Sequence, residues 1–494
     1  MDDLLSWFSS EHGVLDTAAM GLGDITGHGR GAYALRDIPE GHELFVIPRS
    51  LTLSTRTSSL PGLLGKKAWK EYKLDIGWAG LILCMMWEEA QGASSRWSGY
   101  LADLPSTFST PMFWSSEELD ELKGTAVVDK IGKDDAERDY REKLMPAAQS
   151  RPDLFPSEKL LQYYTLERYH VMGSRILSRS FTVLKWERES GADADAMVVA
   201  DADTSLGSGM DVDMDANNPV DQDLDGTEDL DSDDEGDSED PGDVAMVPMA
   251  DMLNARFESE NAKLFYEEHN LKMITTKAIK AGEQIWNTYG DPPNSDLLRR
   301  YGHVDYVPLR PPLSGMGNPA DVVEVRADLV VAVTQDRGKA VGDAKERVEW
   351  WLEVTDDDTF VIQTDCEVPD ELISLVLLLM LPAPEWEKAQ RKEKLPKPKI
   401  NVGLLPLIAS VIETRLEEYQ TTLEADEELL KCPLSVNKRN AVIVRLGEKY
   451  ILASSLAKLR AMELVLREGG QGKKRKVSSS EDDKEQSKGK KSKS

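Results

Sequence analysis

The sequence predicts an α+β protein of more than one domain, and three observations carry that prediction. Strand-like runs cluster near 32–47 and again near 262–290, each bounded by Pro-Gly or polar turns. Helical periodicity dominates from about 65 to 187 and again from about 318 to 468. At 494 residues the chain is also too long for one compact core.

The elements follow in order. A helix opens the chain, and strands at Ala32–Leu35 and Glu43–Ile47 bracket "RDIPEG", where Pro39 and Gly41 force a turn. "GWAGLILCMMWEEAQG" sets Leu81, Cys84, Met85 and Glu88 at helical spacing, and "SEKLLQYYTLERYHVMGSRILSRSF" continues the helical pattern. Composition then changes. Between Glu189 and Ala250 lie 21 acidic residues and no Lys or Arg. A stretch so poor in apolar side chains cannot offset its ordering entropy, so 189–243 is expected to be a disordered acidic insertion. Within it, "DQDLDG" (Asp221–Gly226) imitates the start of an EF-hand loop, but Ser232 stands where a bidentate Glu is needed. Strands resume in "NAKLFYE", "LKMITTKAI" and "GEQIWNTYG". Helices follow in "AKERVEWWLEV", Leu372–Leu381, "PLIASVIETRLEEYQTTL" and a last segment with Leu452, Leu456, Leu459 and Leu466 on one stripe. The basic tail 469–494 is expected to be disordered.

The net charge of -30 is concentrated in the insertion, so the remainder is mildly acidic and no nucleic-acid partner is expected. Cys84, Cys366 and Cys432 are scattered, and the six histidines lack ligand spacing; neither a disulfide framework nor a metal site is expected. The start "MDDLLSWFSSEHG" is acidic, unlike a signal peptide, and the apolar run Leu372–Pro382 is too short to span a bilayer. A soluble intracellular protein is the expectation, with no membrane partner.

Three stretches could carry chemistry. Gly27, Gly29 and Gly31 alternate, which permits positive φ or close approach to a ligand; GxGxG followed by a strand does not fit a dinucleotide fingerprint. Asp251 and Asn254 in "VPMADMLN" suit either a helix cap or polar ligand contacts. Tyr289 and Tyr301 each precede a glycine, twelve positions apart, and taken singly fit packed tyrosines with satisfied hydroxyls.

In this order, "GHGRGAYALRDIPEGHELFVIP", "VPMADMLN", "LKMITTKAIKAGEQIWNTYG" and "LLRRYG" resemble the SET-domain protein lysine methyltransferases. The resemblance is to the branch with a helical insertion and a C-terminal helical substrate-binding domain, typified by the Rubisco large-subunit methyltransferase. "YLADLPSTFSTPMFW" and "CPLSVNKRNAVIVRLGEKYIL" resemble the same branch. It implies a SET domain over 1–310, interrupted by a helical insertion at about 55–185 and by the acidic one, then an all-α substrate-binding domain over 318–468. It also implies S-adenosyl-L-methionine as cofactor, held by His28, Gly29, Arg30, Gly31, Arg179, Asn254, Ala255 and Tyr301. Ala255 stands where many relatives have His, so the resemblance implies a backbone contact there. Tyr289 takes the catalytic position and also contacts substrate, with Trp114 and Asp251 as further substrate contacts.

The partner so implied is a protein bearing a target lysine, met by a monomer. "ADMLNARFESENAKLFY" and "DPPNSDLLRRYGHVDY" resemble the fungal ribosomal lysine methyltransferases, so a ribosomal protein is the first expectation. Histones or other nuclear proteins are the alternative, and a silent interaction module is a third reading. "GKKRKV" (Gly472–Val477) resembles a nuclear-localisation signal, which gives the nucleus, with the cytoplasm second.

Overall fold

The computed structural model describes residues 2–27, 29–183, 243–355 and 358–488. His28, the EF-hand-like Asp221–Gly226 and all of the acidic insertion except Asp243 lie outside the described residues. The chain divides into two compact units. The first comprises 1–113, 131–292 and 300–302; the second comprises 114–130, 293–299 and 303–494.

In the first unit the strands are β1 (Val14–Leu15), β2 (Met20–Ile25), β3 (Gly29–Ala34), β4 (Glu43–Pro48), β5 (Ser180–Val183), β6 (Asp243–Met246), β7 (Ala262–Tyr266), β8 (Asn270–Thr275) and β9 (Gln284–Ile285). They form small antiparallel sheets: β1-β4-β8-β7, β2-β3-β9 and β5-β6. The short strands follow from their sequences. β8 alternates Leu271, Met273 and Thr275 inward with half-buried residues between them. β2 and β3 form a hairpin in register Ile25↔Gly29 and Gly23↔Gly31. Gly27 at φ +83° and Gly29 at φ +68° make its tight reversal, so the alternating glycines have a local structural job. Val183 pairs with Asp243, so the acidic insertion leaves and re-enters the fold at one point.

"GEQIWNTYG" is not one long strand. β9 stops at Ile285, because Asn261 diverts the chain: its Oδ1 accepts from Trp286 N at 2.8 Å, and Trp286 O accepts from Asn261 N and Ala262 N. The segment near 157–181 is likewise two helices, Ser157–Tyr163 and Leu166–Arg179. The second starts at Thr165, whose hydroxyl accepts from Arg168 N. Helix Ala79–Gln91 is buried on every side from Ala79 to Glu88, a central core helix rather than an amphipathic one. Phe8, Phe45, Met172, Phe181 and Met246 lie in the same core.

The second unit is mainly helical, with helices Ala327–Asp336, Ala344–Thr355, Asp370–Met380, Ala383–Lys392, Leu405–Glu417, Leu423–Leu429 and Val436–Lys488. It also holds strand pairs β10 (Val307–Pro308) with β11 (Met316–Gly317), and β12 (Val322–Arg326) with β13 (Thr359–Gln363). Val323, Val325, Phe360 and Ile362 give the second pair its inward face, so the unit is not purely α. Leu452, Leu456 and Leu459 join its core, but Leu466 is exposed, as the stripe runs past the helices that cover it. The final helix continues to Lys488, so backbone beyond 469 is helical where composition predicts disorder; Lys, Glu, Gln and Arg are strong helix formers.

Residues 114–130 belong to the second unit, although in sequence they sit within the helical insertion. Charged groups hold them there. Arg445 donates to Glu121 O and meets Glu121 Oε2 at 3.1 Å, Lys438 bonds Glu121 Oε1 at 2.7 Å, and Ala126 N donates to Glu448 Oε1 at 3.2 Å. Trp114, expected as a substrate contact, is a buried residue of this unit, 5% exposed.

Candidate active site

Four segments of the first unit meet around the hairpin strand β3. Gly31 faces the crowded side: a Cβ there would lie 2.6 Å from Asn254 Nδ2, 2.8 Å from Ile25 Cδ1 and 3.0 Å from Gln284 Nε2. Only glycine therefore lets these side chains approach the strand. Asn254 is half-buried, and its carbonyl accepts from Asn287 N at 3.0 Å. Ala255 and Asn287 pair as a parallel bridge, so Ala255 contributes backbone here.

The same crossing places Tyr289. Its hydroxyl donates to Leu253 O at 3.3 Å, and its ring stacks on Tyr301 with centroids 4.4 Å apart and planes 12° from parallel. Both tyrosines are followed by a left-handed glycine, Gly290 at φ +67° and Gly302 at φ +76°. Gly302 also ends helix Asn294–Tyr301 and packs against the backbone of Ser109 and Thr110. Burial pushes the Tyr289 hydroxyl up to about 12, with Arg179 opposing and Asp251 reinforcing the shift. Burial thus favours the neutral hydroxyl of Tyr289, and a hydroxyl that donates inward keeps its lone pairs for accepting.

Arg179, the last residue of helix Leu166–Arg179, donates from Nη1 to Asp251 O at 2.7 Å and lies 3.5 Å from Asp251 Oδ2. Asp251 sits in a short 3-10 turn, Ala250–Met252, entered through buried Met249 at φ +73°, a strained conformation for a non-glycine. Its side chain is fully buried, so it holds Arg179 rather than presenting a carboxylate to a protein surface. Burial raises its pKa against the pull of Arg179 and Tyr100.

Arg30 differs from expectation in one respect. Its guanidinium forks onto Asp103, 3.0 Å to Oδ1 and 2.8 Å to the backbone O, so β3 offers its backbone rather than a free cation. Sequence reasoning missed Tyr100, Asp103 and Gln284. Tyr100 and Asp103 lie three apart on helix Ser98–Asp103, a same-face spacing that could have flagged them. Gln284 Nε2 is buried without a hydrogen-bond partner among the described residues, a donor left unspent beside Gly31.

Small sheets crossing around a glycine hairpin, with a polar segment and two stacked tyrosines brought to one place, define a fold built to hold one ligand against one reacting group. The comparisons with known proteins agree. The SET domain matches residues 29–290, and the Rubisco LSMT substrate-binding domain matches residues 343–452. The chain belongs to the SET-domain family. It is 27% identical to human N-lysine methyltransferase SETD6, across 86% of this chain and 83% of that one. It is 30% identical to ribosomal lysine N-methyltransferase 4 of Saccharomyces cerevisiae, over 56% of this chain and 49% of that protein. Among solved structures, Rubisco LSMT bound to AdoMet superposes with a TM-score of 0.60 at 18% identity, covering 94% of this chain and 92% of that one.

Proposed function

We propose that this protein is an S-adenosylmethionine-dependent protein-lysine N-methyltransferase and that its acceptor is a ribosomal protein of the large subunit. One observation carries the enzymatic reading: Gly31, Asn254, Tyr289 and Tyr301 form one connected patch through the contacts above. The family and the N-lysine methyltransferase names of its relatives support the same activity.

The residues fit the cofactor. The glycine hairpin leaves backbone uncovered, Gln284 Nε2 offers an unspent donor, and Arg179 offers a cation for a carboxylate. Bound S-adenosylmethionine supplies an electrophilic methyl group on a sulfonium. The protein's own residues do the rest. An acceptor lysine must lose its proton before attack, and a half-buried aromatic wall lowers an ammonium pKa by desolvation. Neutral Tyr289 can accept a hydrogen bond from the amine or from the polarised methyl, and Tyr301 fixes its ring.

The ribosomal acceptor rests on the likeness to the yeast enzyme, which covers 56% of this chain. The longer alignments are with SETD6 proteins, whose names carry no ribosomal acceptor, and a second reading is histones or other nuclear proteins. Mass spectrometry of ribosomal proteins from cells with and without the gene separates them. A large-subunit lysine methylation that disappears with the gene is expected; identical ribosomal methylation in both overturns the ribosomal acceptor. We further infer nuclear localisation from Gly472–Val477. Deleting Lys473–Lys476 should then abolish nuclear accumulation, and unchanged accumulation overturns it.

A further inference from the structure

We propose that Tyr100 is a positioning residue of the methyl-transfer site: its hydroxyl holds the Asp251 carboxylate and thereby keeps Arg179 in place beside Tyr289. The proposal rests on the S-adenosylmethionine reading above and is independent of the acceptor's identity.

Tyr100 is buried, with its hydroxyl 2.9 Å from Asp251 Oδ2. The ring is firmly seated. It stacks on Trp7, centroids 6.0 Å apart and planes 19° from parallel, and Trp7 Nε1 donates to Arg96 O at 2.8 Å. Gly99 lets Trp7 in, since a Cβ there would lie 2.4 Å from Trp7 Cγ. Trp7 belongs to helix Asp2–Ser10, ahead of the segment matched by the SET domain.

Asp251 depends on this contact because it has few others. Its Oδ1 is buried without a hydrogen-bond partner among the described residues, so Oδ2 carries both the Tyr100 bond and the Arg179 pair. The groups that face Asp251 are Tyr100, Arg179, Arg30 and Tyr289; Arg175 faces Tyr100. Without the hydroxyl, the only close partner left to Oδ2 among the described residues is Arg179 at 3.5 Å, and burial favours the neutral acid. Once Asp251 is protonated, it no longer holds the Arg179 guanidinium in the orientation that meets the cofactor's carboxylate, and cofactor affinity falls.

The test is calorimetric binding of S-adenosylmethionine to full-length wild type and Tyr100→Phe between pH 6 and 9, with Asp251→Asn alone and combined. Tyr100→Phe is expected to bind within about twofold of wild type at pH 8.5. Its affinity should fall away from that of wild type as pH is lowered, the gap reaching severalfold at the acid end of the range. In the Asp251→Asn background the substitution should change nothing. A uniform loss at every pH, or the same shift without Asp251, overturns the proposal, because a packing defect has no titration. Should Tyr100→Phe melt below the assay temperature, Trp7→Leu loosens the seat while leaving the hydroxyl. It is expected to move the curve the same way by less, and an unmoved curve overturns the proposal. Wild type that binds no cofactor contradicts the methyltransferase reading itself.

Discussion

Asp251 in the first unit and Asp426 in the second have the same side chain and the same complete burial, yet opposite surroundings. Asp426 is saturated: Arg445 meets Oδ1 at 2.7 Å and Oδ2 at 3.1 Å, Lys449 meets Oδ2 at 2.6 Å, and Thr421 donates to both oxygens. Burial opposes its charge, but Arg445 and Lys449 outweigh burial and depress its pKa. Among the described residues, the Asp251 side chain has one hydrogen bond, one longer ion pair and an unpartnered oxygen, and burial raises its pKa. The difference separates two uses of a buried carboxylate. Saturated, it locks helices Leu423–Leu429 and Val436–Lys488 together; unsaturated, it leaves a charge whose state a neighbouring ligand can feel.

The largest expected effect tests the saturated member. Asp426→Ala strands the buried Lys449 and leaves Arg445 with Glu121 alone, and should lower the unfolding free energy by about 3–5 kcal/mol in denaturant titration. Asp251→Asn, whose partner Arg179 keeps access to water, should cost less than half as much. Equal costs would break the comparison.

Next comes the site. Tyr289→Phe keeps the stacked ring and removes the acceptor, so methyl transfer should fall about a hundredfold, about 2.7 kcal/mol of transition-state stabilisation. Thermal melting should be unchanged. Near-wild-type turnover would remove Tyr289 from the mechanism.

Gly31→Ala forces a methyl into Asn254 and Gln284. Cofactor binding measured by calorimetry should weaken about tenfold, with a packing cost of about 1–3 kcal/mol. Full affinity would show that the cradle has more room than its contacts indicate.

The smallest effect is a pH dependence in the second unit. Burial pushes Asp321 and Glu448 up to about 7, well above ordinary carboxyl values. A raised acid favours the folded state most below its unfolded pKa and loses that contribution as pH rises through the folded one. Stability from these groups should therefore fall between about pH 4 and 7 by roughly 1 kcal/mol or more. Asp321→Asn, which mimics the neutral acid, should flatten the slope in pH-dependent unfolding; an unchanged slope would show that Asp321 is ionised throughout.

Much of the fold was legible because it is periodic. β4, β7 and β8 announce themselves by inward spacing, and the core helix by its continuous apolar run. The site was legible only as an ordered set of short motifs, since a glycine hairpin, an Asn and two tyrosines each have bland explanations alone. What remained hidden depends on long-range pairing. Tyr100 and Asp251 are separated by 151 positions, and Arg30 and Asp103 by 73, so no local rule joins them. β9 was read too long because the residue that interrupts it, Asn261, lies outside it. The grouping of 114–130 with the second unit depends on Arg445, Lys438 and Glu448, more than 300 positions away.

The most direct test of the central claim incubates the purified full-length protein with methyl-labelled S-adenosylmethionine and lysate from cells lacking the gene. Label should appear as methyl-lysine in one or a few acceptor proteins with wild type and fall about a hundredfold with Tyr289→Phe. Cofactor binding without any methyl-lysine, or equal labelling by both proteins, would contradict the account.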